Sequence, residues 1–163
     1  MNQRLYRFRV LAAVLAALIF SGSATAGKQV PFKGHSSGIV TAVGFDPVKG
    51  IAYTRVEGSG EATHLGHFTV TGDVAVEVAT GIPTGTWTLT AANGDMLFLE
   101  MTGSGIDPTH GFGDFTVVGG TGRFAEATGS YEQIITFALP LGTADIIPYT
   151  DVFEGTISSG NRS

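Results

Sequence analysis

Cysteine is absent from all 163 residues. No disulfide, thiolate metal site or cysteine nucleophile is open to this chain, and its stability must come from core burial and backbone pairing. Charge is scarce as well. Charged residues make up 14% of the chain, with nine Lys and Arg against fourteen Asp and Glu, for a formal net charge of −5. That balance excludes nucleic acid and anionic membrane surfaces as partners, because phosphate contacts need a basic patch. Catalytic signatures are missing too. There is no Gly-x-Ser-x-Gly, and Gly119-Gly-Thr-Gly122 is not followed by a lysine, so it reads as a turn rather than a phosphate cradle. His64-Leu-Gly-His67 has the letters of a metal motif. On an extended strand, however, residues three apart point to opposite faces. No catalytic residue, metal ligand or cofactor is expected.

A long hydrophobic run is lacking as well. Val10 to Phe20 is apolar for only eleven residues, well short of the ~20 that span a bilayer as a helix. It follows Arg4, Arg7 and Arg9 and precedes Ala24-Thr25-Ala26. This is the layout of a secretory signal peptide over 1–26, cut before Gly27. The expectation is an exported protein, secreted or periplasmic. Its mature domain is 27–163, has no membrane span, and is more acidic once the three arginines are gone.

Glycine is abundant, with 24 in the chain. Val, Thr, Phe and Ile fill the gaps, as suits pleated strands punctuated by turns and bulges. Past the leader no stretch sustains helical periodicity. The chain also repeats itself. GSGEATHLGHFTV (58–70) is echoed by GSGIDPTHGFGDFTVV (103–118), and at a shift of 45 the DPVKG turn (46–50) lies over ANGD (92–95). Asn93-Gly94 is a strong hairpin signal. Strands are expected near 38–44, 51–58, 61–70, 73–79, 85–91, 96–103, 112–118, 128–139 and 150–158. Gly-Ser-Gly bends separate some of them, and a loop is bracketed by Pro140 and Pro148. The fold class is therefore all-β: a single closed antiparallel barrel of about eight strands with an internal pseudo-repeat. Closure removes sheet edges, and glycine allows the coiling.

Within the repeated phrase, His64 and His110 have two readings. Either Thr and His hydrogen-bond backbone groups at a duplicated corner, or the two histidines face a common ligand. A second constellation lies mid-strand. Arg55 lies over Glu100 at the same shift; Arg55 shares a face with Tyr53 and Glu57, and Glu100 with Phe98. Pointing inward, they would line an aromatic pocket with a few polar groups. Pointing outward, they would be surface charges beside an apolar outer face, and such a face marks a homo-oligomer. The candidate ligand-binding residues are thus Tyr53, Arg55, Phe98, Glu100, His64 and His110.

The stretch VVGGTGRFAEATGSY (117–131) resembles allene oxide cyclases and plant dirigent proteins, which carry a similar Gly-Gly-Thr/Ser-Gly-x-Phe turn before a long strand. ATHLGHFT (62–69) and GTWTLTAANGD (85–95) resemble a group of exported bacterial proteins with that late motif and no assigned activity. The resemblance implies an eight-stranded barrel, calycin-like in outline, and a trimer. It carries no catalytic residue across, because the shared turn positions a strand and performs no chemistry. Three functions follow. The first is an exported barrel holding a small, partly apolar ligand. The second is a cyclase or isomerase using Glu100 or Glu57 as acid/base. The third is a non-catalytic envelope or interaction protein with a filled barrel.

Overall fold

A computed structural model describes residues 28–158; the leader expected over 1–26 lies outside them. Eight antiparallel strands run β1 (Gln29–Asp46), β2 (Ile51–Ala62), β3 (Gly66–Glu77), β4 (Ile82–Ala91), β5 (Met96–Asp107), β6 (His110–Gly120), β7 (Gly129–Phe137) and β8 (Ile146–Ser158). Each pairs with its chain neighbour, and β8 returns to β1, so the barrel is closed. A 3-10 turn, Gly122–Phe124, is its sole helical element among the described residues. No helix there is long and apolar enough to cross a membrane.

The expected barrel is present, but its strands are partitioned differently. β1 starts nine residues before the expected 38, because Pro31, Gly34 and the serine pair hide a strand that pairs with β8 from Gln29 onward. Pro148 belongs to β8 rather than to a loop, opposite Ile39. The two strands expected over 61–70 and 73–79 are one, β3. The chain instead turns at residues 63–65, where His64 adopts φ 64°. The Gly-Ser-Gly segments also run straight through strands β2 and β5.

Gly58, Gly60 and Gly103 of these segments, and Gly72 of β3, stand where a larger residue would collide. A Cβ at Gly58 would lie 2.7 Å from Tyr149 Oη, and one at Gly72 would lie 2.9 Å from the Trp87 ring. The missing side chains are the space into which aromatic rings lean. Residues alternate strictly between this interior and solvent; in β3, Phe68, Val70 and Val74 are buried while Thr69, Thr71 and Asp73 are exposed.

The two ends of the barrel differ. The β2–β3, β4–β5 and β6–β7 connections lie at the lower end, which buried Leu65, Phe124 and Ala127 close. Fully burying side chains of this size contributes about 1.5–3 kcal/mol each for the larger two. The β1–β2, β3–β4, β5–β6 and β7–β8 hairpins form the upper end.

Candidate functional site

Strand direction separates the two copies of the repeated phrase. A shift of 45 residues carries β2 onto β5, three strands further round. An odd number of antiparallel steps reverses direction, so the copies lie at opposite ends. His64 sits in the lower β2–β3 turn and His110 at the upper start of β6. They form no common site.

The corner reading holds in part. Thr63 Oγ1 accepts from Lys33 N and donates to the Pro31 carbonyl, both at 3.0 Å, tying the turn to β1. His64 is exposed and makes no such bond. His110 Nδ1 lies 2.9 Å from Asp107. This contact and the backbone N–H of Thr109 hold the Asp107 carboxyl down at about 2.

The other four candidates are on the outer wall. Arg55 Nε and Nη2 donate to Asp73 Oδ1 at 3.0 and 2.7 Å across the β2–β3 pair. Glu100 is exposed between Thr86 and Thr116. Tyr53 and Phe98 point the same way, each 36% exposed. Glu57 is outside too, between Ile39 and Thr71. The structure therefore takes the outward branch for Arg55 and Glu100, and neither Glu100 nor Glu57 can act within the barrel. The two depressions that come nearest to a pocket are open grooves on this wall, one beside Tyr53, Arg55 and Asp73 and the other beside His35, Glu61 and His67.

Inside, rings fill the barrel. Trp87 meets Phe115 edge-on at 5.1 Å, Phe115 stacks on Tyr131 at 4.7 Å, and Tyr131 continues to Phe153 at 5.0 Å and Phe32 at 5.4 Å. Within this apolar packing lies one polar island that sequence reading missed. Ser36 of β1 faces Asp151 of β8; Ser36 N and Oγ donate to Oδ1 and Oδ2 at 2.9 and 2.5 Å. Gln133 is buried on the next strand. Burial pushes the Asp151 carboxyl above its ordinary value, against the Ser36 hydrogen bonds and Gln133. Burial likewise pushes Tyr149 up to about 12, and Tyr131 well above the usual phenol range. Three buried donors, Trp87 Nε1, Tyr149 Oη and, at the lower end, Arg123 Nε, have no hydrogen-bond partner.

The signal for this island was available. Asp151 is the sole acid on the Ile147, Tyr149, Phe153 face of a strand reading IIPYTDVFEGTIS, but its partner Ser36 precedes the first strand expected from sequence, which starts at 38. Among the described residues no group of three or more His, Asp and Glu is arranged to hold a metal ion.

No family model matches the chain, and no match was found among curated proteins. Among solved structures, the pterocarpan synthase dirigent protein GePTS1 superposes with a TM-score of 0.58 at 13% identity, over 86% of this chain and 90% of that one. At such identity the likeness is one of fold: this chain has a dirigent-like eight-stranded barrel.

Proposed function

We propose that this dirigent-like barrel is an exported, non-catalytic interaction protein. Its interior is structural core, and its outer surface is what it works with. The observation that supports this reading is the run of packed rings from Trp87 to Phe32, which occupies the place where a ligand would sit. The six residues first considered for a pocket are all on the outer wall or in the end connections. The basic, apolar and small-residue segments of the N-terminus carry the export component.

A second reading has one specific observation in its favour. Trp87 Nε1 and Tyr149 Oη are buried without partners, and an unsatisfied buried donor costs about 1–3 kcal/mol. A small polar molecule bound among the rings would supply acceptors for them. Any acid–base chemistry would then belong to Asp151, whose raised pKa suits a proton donor or acceptor. Room for a ligand would require the rings to move.

Native mass spectrometry of the full chain purified from its own host tests the two readings. A mass equal to polypeptide alone is expected; a stoichiometric small molecule that Asp151→Asn releases would replace the first reading with the second.

A further inference from the structure

The upper end of the barrel is an apolar crown. Among the described residues sixteen large hydrophobic side chains are exposed, and nine of them belong to its four hairpins or the strand ends beside them. Among them are Val48 (93% exposed), Phe45, Val78, Ile106, Leu139 and Leu141. At the lower end, among the described residues, only Met96, Phe98 and Val118 are exposed. Strand alternation does not account for this asymmetry, since tips of hairpins are free to be polar.

The crown is also held in shape. Val78 N donates to the Gly50 carbonyl, Leu141 N to Pro108, and Ala42 N to Asp145, so neighbouring hairpins are bonded to one another. Three of its four acids are turned back into their own loops. Asp46 accepts from Val48 N and Lys49 N, Asp107 from Thr109 N, and Glu77 from Thr80 Oγ1. What the crown presents outward is largely aliphatic.

We propose that this crown docks against the same crown of a second copy, giving an end-to-end two-fold dimer. The six named side chains expose on the order of 600 Å², already the size of the largest patch on a typical monomer. With the intervening backbone, a crown approaches the ~800 Å² per partner of a stable interface. A two-fold contact needs a self-complementary patch, which a ring of aliphatic tips supplies. Asp46, Glu77, Asp107 and Asp145 outnumber Lys49 around the ring; they disfavour an anionic lipid surface and a facing crown alike, so the apolar area is what carries the contact. The proposal rests on the reading that the outside of the barrel is its working surface, and it names the partner.

Sedimentation velocity across protein concentration, with small-angle scattering for shape, tests it on the mature chain. A reversible, elongated dimer is expected. Val48→Asp with Leu141→Asp should weaken it more than about 30-fold while leaving the melting temperature unchanged, since both side chains are exposed. If the double variant folds poorly, Val48→Lys reads the same equilibrium. A wild type that stays monomeric overturns the proposal, as does an oligomer that these substitutions leave intact. A monomer that floats with phosphatidylcholine vesicles assigns the crown to lipid instead. A retained small molecule would sink the packed-interior reading without altering this equilibrium, so the two failures are distinguishable.

Discussion

Ser36 and Asp151 face each other across the seam where β1 closes onto β8. Their two hydrogen bonds join residues 115 apart in the chain. With buried Gln133 they are the polar centre of a mainly apolar interior, and they fix the register of the contact that turns a ribbon into a cylinder. Removing the hydroxyl should therefore cost more than a surface change. Ser36→Ala is expected to destabilise the fold by about 1–3 kcal/mol, the usual result of leaving a buried acceptor short of a donor. Chemical denaturation of parent and variant measures it.

Asp151 and Asp107 should give stability opposite pH dependences. Burial raises the folded-state pKa of Asp151 above 3.8, so the folded protein holds that proton more tightly than the unfolded chain. Its contribution is fully present below the unfolded value and is lost as pH rises through the folded one. Asp107 is lowered to about 2, so its contribution is present above 3.8 and is lost as pH falls towards 2. Thermal melts over this range should show the parent losing ground to Asp151→Asn as pH rises. Against Asp107→Asn, the parent should lose ground as pH falls.

Inward glycines should not tolerate a methyl group. At Gly58 the added carbon would press on Tyr149 Oη and on the Ser37 carbonyl, and the carbonyl cannot swing aside. Gly58→Ala is expected to cost about 1–3 kcal/mol through overpacking. The glycine of the β1–β2 turn, Gly50, has nothing within 4 Å of an added carbon; its substitution tests only backbone strain at φ 67°.

His64 supplies the opposite case. It holds φ 64° in an exposed turn without a hydrogen bond to repay the strain. His64→Gly should stabilise by about 0.5–1 kcal/mol, because glycine enters this region without the Cβ clash. His64→Ala should be close to neutral. A loss of 1 kcal/mol or more in either variant would mean that the imidazole has a structural role that its position does not indicate.

On the outer wall, Arg55→Ala should cost less than about 1 kcal/mol, since its partner Asp73 is exposed and the pair is screened by solvent. Glu100→Gln should shift stability by less than about 0.5 kcal/mol. Denaturation midpoints check both.

The barrel was legible in the sequence because β-branched alternation and the Asn93-Gly94 hairpin are local signals. The duplicated phrase was visible for the same reason. Its meaning was not: whether two copies meet depends on how many strands separate them, and three antiparallel steps send His64 and His110 to opposite ends. Glycine misled for a related reason. In a strand it reads as a bend, whereas Gly58 and Gly72 are flat backbone over which Tyr149 and Trp87 lean. The sign of the Arg55 and Glu100 face was undecidable from pattern, since β5 is apolar on both sides, with Leu97 and Leu99 within and Met96 and Phe98 without. The Ser36–Asp151 island was hidden because Ser36 precedes the expected first strand, and Pro148, which reads as a strand breaker, in fact occupies an outward position on β8 opposite Ile39.

The packed interior is tested most directly through Trp87, the single tryptophan of the chain, 6% exposed and wedged against Phe115. Acrylamide quenching of its fluorescence reports whether a small polar molecule can enter the barrel. Shielding close to that of a fully buried indole, unchanged between parent and Asp151→Asn, is the expected result. Quenching approaching that of free tryptophan in the folded protein would show an accessible channel and contradict the account.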